Sequence, residues 1–213
     1  MLTRLHDSSL VVDMLYNRTR GQSTAVTCFY FDFAAREEQT ATSMLGSLVK
    51  QVVSGMEMIP EEVSRAFQEH KETMGGCGPQ LAVIVKMLQA LASSRPIFIC
   101  IDALDECAAV QRFRVLDSLN QILEKCPWTR IFATGRPHIR HEIETRLTGR
   151  VASVSVGLKR DDIVGFLRVR LGEDETPDAM DEGLEAEILE KILGNVSEMY
   201  GGKLLRLPPH IIC

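Results

Sequence analysis

Apolar residues follow two spacings along this chain, and the switches between them mark out its elements. Leu2, Leu5, Val12, Leu15 and Tyr16 recur at helical intervals with polar residues between, which predicts an amphipathic helix over residues 2 to about 18. Arg20-Gly21 ends it, and Thr24 to Phe33 (TAVTCFYFDF), rich in β-branched and aromatic residues, predicts a first strand. Thr42 to Val53 returns to helical spacing with Leu45, Leu48, Val49 and Val52 on one face. A further helix begins at Pro60, where proline suits the first turn. Met74-Gly75-Gly76-Cys77-Gly78-Pro79 breaks the pattern and reads as a plain loop, because no Lys-Ser or Lys-Thr follows the glycines as a phosphate cradle requires.

Another helix runs from Pro79 to about Ser93 and feeds Pro96-Ile97-Phe98-Ile99-Cys100-Ile101-Asp102-Ala103-Leu104-Asp105-Glu106, a continuous apolar run ending in three carboxylates. Such a run reads as a strand buried on both faces, which belongs in a parallel sheet. The acids then lie at its C-terminal end, the edge where open α/β sheets bind ligands, and Asp102 emerges where a phosphate-bound Mg²⁺ would lie. The alternative is that Asp102 merely ends a strand while Asp105 and Glu106 open a helix, whose positive dipole end favours carboxylates. A carboxylate directly behind five buried apolar residues is costly unless something pairs it, which favours the metal-site origin.

A helix from about Ala109 to Lys125 leads through Pro127 to a third strand, Thr129 to Thr134, followed by Gly135-Arg136-Pro137 and a short helix. Val151 to Val156 predicts a fourth strand. Helices alternating with apolar strands give an α/β fold, a doubly wound and mostly parallel sheet with right-handed crossovers. Arg160-Asp161-Asp162-Ile163 opens a helix to about Leu171, and an acidic linker from Gly172 passes into a helix over about Leu184 to Leu193. The last residues carry two pairs of breakers and read as a tail. The expected division is residues 1–157 as a partial nucleotide-binding type domain, 158–199 as the start of a helical subdomain, and 200–213 as a divergent tail.

The net charge of -5 and pI near 5.6, with Lys and Arg scattered, argue against a nucleic-acid surface. The six cysteines form no C-x-x-C pair, and Cys28 and Cys100 fall inside apolar strands, which fits a reducing compartment. No apolar run reaches the roughly 18 to 20 residues of a membrane span, so the expected location is cytoplasmic and no membrane partner is expected. His138 and His141 with Glu142 sketch a metal site, but no matching Cys or His cluster accompanies them.

The order of motifs resembles the NACHT-type P-loop NTPases of the signal-transducing STAND class, in particular the nephrocystin-like NACHT proteins of filamentous fungi. The likeness spans residues 8 to about 199. It rests on Ser8 to Asp13 (SSLVVD), Tyr30-Phe31-Asp32-Phe33, Ser47 to Gln51 (SLVKQ) and, most of all, Asp102-Ala103-Leu104-Asp105-Glu106-Cys107. The resemblance implies that Asp102 holds Mg²⁺, that Asp105 and Glu106 act catalytically by preparing the attacking water, and that Arg136 contacts the γ-phosphate of bound ATP or GTP. The family's usual Ser stands as Gly135 here.

No G-x-x-x-x-G-K-[ST] occurs in the sequence, so the phosphate loop and the strand before it are expected to be missing, and the chain reads as N-terminally truncated. Two functions follow. One is a fragment of a nucleotide-dependent signalling switch, whose intact module hydrolyses ATP or GTP with Mg²⁺, self-associates and meets protein partners through flanking domains. The other is a non-enzymatic interaction scaffold, or a gene-model fragment, that takes no cofactor. In the family's strand order the absent strand belongs between Thr129–Thr134 and Val151–Val156, so each of these is expected to present a row of unpaired backbone groups, or the sheet to close over the gap with a changed register, which predicts an aggregation-prone or molten chain least protected over Thr129 to Val156.

Overall fold

A computed structural model describes residues 2–73, 78–147, 152–154, 160–172 and 182–199. The chain divides into two units, Met1–Val151 and Ala152–Cys213. In the first, helix α1 (Leu2–Thr19) precedes strand β1 (Ala25–Tyr30), helices α2 (Ala41–Ser54), α3 (Glu61–Thr73) and α4 (Leu81–Ser94), and strand β2 (Ile97–Asp102). Helix α5 (Ala109–Lys125), strand β3 (Arg130–Ala133) and helix α6 (Arg140–Arg146) follow. The elements expected from hydrophobic spacing over residues 2–146 are all present, with ends shifted by a residue or a few.

The three strands form one parallel sheet in the order β1-β2-β3. Alternation along β2 sends its side chains to two different cores. Ile97, Ile99 and Ile101 join Leu45, Leu48, Leu88, Leu91, Leu116 and Leu119 from α2, α4 and α5 in the main core. Cys100 and Phe98 face the other way, where α1 supplies Val12 and Leu15 against Val26 and Cys28 of β1. Helices therefore cover both faces, as a doubly wound sheet requires, and β2 is the central, doubly buried strand that its unbroken apolar run implied.

The two sheet edges differ. At β1 the side-chain amide of Gln51 accepts from the Cys28 N–H at 2.9 Å and donates to the Cys28 carbonyl at 2.8 Å, standing in for a neighbouring strand. At β3, Thr134 N–H donates inward to the Ile101 carbonyl, so alternation turns the amides of Ile131 and Ala133 outward. No strand pairs with that edge among the described residues.

The expected fourth strand is corrected in part. Ala152–Val154 are not in a strand, and Val154 is exposed; Val151, Ser155 and Val156 lie outside the described residues. An extended segment becomes a strand only by pairing, and its expected neighbour is not among the described elements. The breaker loop at Met74–Cys77 and the tail from Gly201 also lie outside the described residues. In the second unit, α7 (Arg160–Gly172) and α8 (Glu182–Met199) pack on each other, with Arg168 Nε 3.9 Å from Glu185 Oε1. The helix starting at Glu182 begins slightly earlier than its leucine spacing suggested. Among the described residues no helix is long and apolar enough to cross a membrane.

Candidate functional site

Asp102 ends β2 with only 6% of its surface exposed, so its carboxylate needs a partner. Thr134, just past β3, supplies it: the hydroxyl donates to Asp102 Oδ1 and accepts from the Ala103 N–H at 3.0 Å. The same residue's carbonyl takes the Leu104 N–H at 2.9 Å. Thr134 thereby clasps the end of the neighbouring strand, which follows from register, since Ile101 pairs with Ala133 and the next position on each strand is polar. Asp102 Oδ2 has no hydrogen-bond partner among the described residues.

Ala103 makes the turn that brings these groups together. Its φ of 52° and ψ of 44° lie in the left-handed region, and it is the one described non-glycine residue with positive φ. That conformation costs about 1 to 2 kcal/mol for an L residue and more for a branched one, so a small side chain belongs here. The chain then enters a short 3₁₀ turn, Leu104–Glu106, whose Leu104 is fully buried as the anchor.

Asp105 and Arg136 meet directly. Asp105 Oδ1 accepts from the Arg136 N–H at 3.0 Å, and Oδ2 lies 3.2 Å from Arg136 Nε. The carboxylate is nearly buried while the guanidinium is largely exposed, so the pair fastens the segment after β3 to the loop after β2. Glu106 Oε2 accepts from the Phe33 N–H at 3.0 Å, beyond the end of β1. Asp32 caps the 3₁₀ turn Phe33–Ala35 by accepting from the Ala34 N–H, which is the strand-end role.

The structure thus gathers Asp102, Asp105, Glu106 and Arg136 at the carboxyl edge of the sheet, in the loops after β2 and β3. On the α1 face beside Asp102, Val12, Cys28, Tyr30, Cys100 and Phe132 come together with no room for a water molecule between them. Burial raises the Tyr30 phenol above its ordinary value, and the neighbouring Cys28 thiol adds to the shift.

Three residues of this edge hold it together in ways the sequence alone does not show. Thr134 stands in the Thr-Gly-Arg-Pro run, and its signal is a hydroxyl one position beyond a strand that neighbours the acid-tipped one. Arg112 and Glu142, thirty positions apart, leave no such signal. The Arg112 fork donates from Nε to Glu142 Oε2 at 2.7 Å and from Nη2 to Oε1 at 3.1 Å. Its Nη1 donates to the Cys107 carbonyl at 2.9 Å, so one buried guanidinium ties α5, the acid loop and α6 together.

Gly135 also has a steric reason. A Cβ there would lie 2.7 Å from Ile139 Cδ1 and 3.6 Å from Asp105 Oδ1. Gly135→Ser, which restores the hydroxyl the family resemblance expects, should therefore destabilise the fold by about 1 kcal/mol as Ile139 shifts inside a filled core. Urea titration reads this as a lowered midpoint at constant slope; an unchanged midpoint would mean that Ile139 has a second, unstrained rotamer.

A family model described as Nephrocystin 3, N-terminal, matches residues 7–136. The match covers well over half of the chain. The chain belongs to the nephrocystin 3 N-terminal family. The matched region runs from within α1 to Arg136 and so takes in the whole three-stranded sheet and all four predicted site residues. No curated protein and no solved structure matches the chain.

Proposed function

We propose that this nephrocystin 3 N-terminal chain is the metal- and water-handling part of a NACHT-type, P-loop nucleotide switch that works with ATP or GTP and Mg²⁺. The observation that carries the reading is Asp102, a nearly buried carboxylate at the open end of the central parallel strand, with one oxygen held by Thr134. A single carboxylate suits Mg²⁺, which keeps several waters and is bound by one or two carboxylates together with phosphates. Among the described residues no group of three or more His, Cys, Asp or Glu is placed to hold a metal ion. The residues fit the metal half of a Mg²⁺-nucleotide site, whereas no sequence here provides the glycine-lysine cradle for the phosphates.

When bound, Mg²⁺ would neutralise charge developing on the transferred phosphoryl group. Glu106 lies at the same edge and would orient the attacking water. Asp105, engaged with Arg136, would act by coupling that arginine to the acid loop. The scaffold reading remains the second function, and it is favoured by the missing cradle.

Titration calorimetry with Mg²⁺-ATP and Mg²⁺-GTP tests both. This chain alone should bind neither nucleotide tighter than about millimolar, because backbone N–H groups and a lysine supply most phosphate affinity. Fused behind a phosphate-loop segment, it should bind; Asp102→Asn should then weaken Mg²⁺-nucleotide binding, while Glu106→Gln leaves binding and slows hydrolysis. Micromolar affinity of the chain alone, or equal hydrolysis by both variants, would overturn the site assignment.

A further inference from the structure

The outer edge of β3 carries a short, self-complementary pattern. Thr134 N–H donates inward to the Ile101 carbonyl, so within β3 the N–H and carbonyl of Ile131 and of Ala133 point away from β2, where no strand pairs with them among the described residues. Between them stands Phe132, opposite Cys100 in the register, so its ring lies on the α1 face of the sheet. Helix α1 packs there on β1 and β2, and Phe132 keeps 36% of its surface exposed. Arg130 and Ala133 are exposed as well. Trp128, just before the strand, is 70% exposed, and the Arg136 side chain, just after it, 61%.

We propose that this edge pairs with the same edge of a second copy, antiparallel and about a two-fold axis at Phe132. The outward groups dictate that register. An antiparallel ladder alternates residue pairs that exchange both N–H···O=C bonds with pairs that exchange none. Ile131 of each copy then faces Ala133 of the other, and the axis passes between the two Phe132 residues as the non-bonded pair. A register shifted by two residues sets Ala133 opposite Thr129, whose N–H is already donated to the Cys126 carbonyl, or Ile131 opposite Gly135, beyond the end of the strand.

The side chains fit the same symmetry. The two Phe132 rings cover each other's exposed surface, because a non-bonded pair brings its side chains closest. Arg130, the charged residue of the strand, faces Thr134 rather than its own counterpart, so no like charges meet. At each end Trp128 of one copy lies beside the segment after β3 of the other, where the exposed Arg136 guanidinium can cover the indole ring. A foreign strand would supply the ladder bonds, but nothing would bring an aromatic ring to its middle and a cation to its end. The assembly stops at two, since the pairing is isologous and the β1 edge is occupied by the Gln51 amide.

So short a contact makes a weak dimer, and sedimentation velocity of the native chain from about 1 to about 300 μM should show monomer passing into dimer and nothing larger. Ala133→Pro removes an outward N–H and puts a ring in its place, a change that an edge strand tolerates, so it should unfold near the native urea midpoint and stay monomeric. Phe132→Cys reads the register and decides the matter should the proline variant lose its fold. A non-bonded antiparallel pair brings its Cα atoms to about 4.5 Å, within disulfide reach, so mild oxidation should join two copies through the introduced thiols, whereas Arg130→Cys should cross-link no more than the native chain. A monomer at every concentration would leave this edge to another segment of the chain or to a different protein, and would overturn the proposal. Open-ended growth, a dimer that survives in folded Ala133→Pro, or equal cross-linking at both positions would overturn it too.

Discussion

Replacing Arg112 by Ala should destabilise the first unit by about 2 to 3 kcal/mol, more than any other single change at the site. The guanidinium is buried and donates to two Glu142 oxygens, to the Cys107 carbonyl and, at 3.5 Å, to the Asp105 carbonyl, so its removal leaves all of these acceptors without their donor. Breaking a buried pair by deleting one partner costs about 3 to 5 kcal/mol, and the figure is lowered here because the Glu142 side chain keeps 28% of its surface in contact with water. Deleting both charges, as Arg112→Met with Glu142→Gln, should cost less than Arg112→Ala alone, since no ion is then left unpaired. Urea unfolding of the wild type, both single variants and the double variant measures this; a double variant weaker than Arg112→Ala would show that the arginine acts through packing.

The same pair sets a pH dependence. The hydrogen bonds from Arg112 hold the Glu142 carboxyl below the usual glutamate range, and burial opposes them only in part. A depressed folded-state value adds stability above the unfolded value, and that contribution is lost as pH falls through the folded one. The wild type should therefore lose stability as the pH falls below the ordinary glutamate range, and Arg112→Ala should lose less over the same window. Parallel curves would mean that other carboxylates carry the acid sensitivity.

How much of this was legible beforehand depended on whether the interaction was local. Helices and strands through residue 146 follow from spacing alone, because burial on one face imposes a period that local sequence records. The acid-tipped strand was legible for the same reason, since no surface strand has five apolar residues in a row. Thr134 was half legible: its hydroxyl is visible in the sequence, but its partner emerges only once Ile101 is set opposite Ala133. The pairing of Arg112 with Glu142 was not legible, because the two lie thirty positions apart on different helices and meet only in the tertiary fold. Ala152 to Val154 shows the limit of propensity, since a segment expected to be a strand becomes one only where a neighbour completes the ladder.

The open edge of β3 should be visible in hydrogen exchange. Cys28 and Ile131 both sit on outer edges of the sheet, yet among the described residues only the first has its N–H and carbonyl occupied, by the Gln51 amide. At β3 the amides of Ile131 and Ala133 point away from β2, whereas those of Phe132 and Thr134 point into the ladder. Exchange of ladder amides needs opening of the core, and exchange of unpaired edge amides does not, so Ile131 and Ala133 should exchange at least about a hundredfold faster than their two inward neighbours. Gln51→Ala should raise exchange at Cys28 by about tenfold, the order expected for one lost pair of hydrogen bonds, and leave β2 unchanged. An unblocked edge also templates association through the same backbone groups. Protection at Ile131 and Ala133 that grows with protein concentration would place a second copy on this edge, and protection as strong as that of Phe132 and Thr134 at every concentration would show that the edge is already covered within one chain.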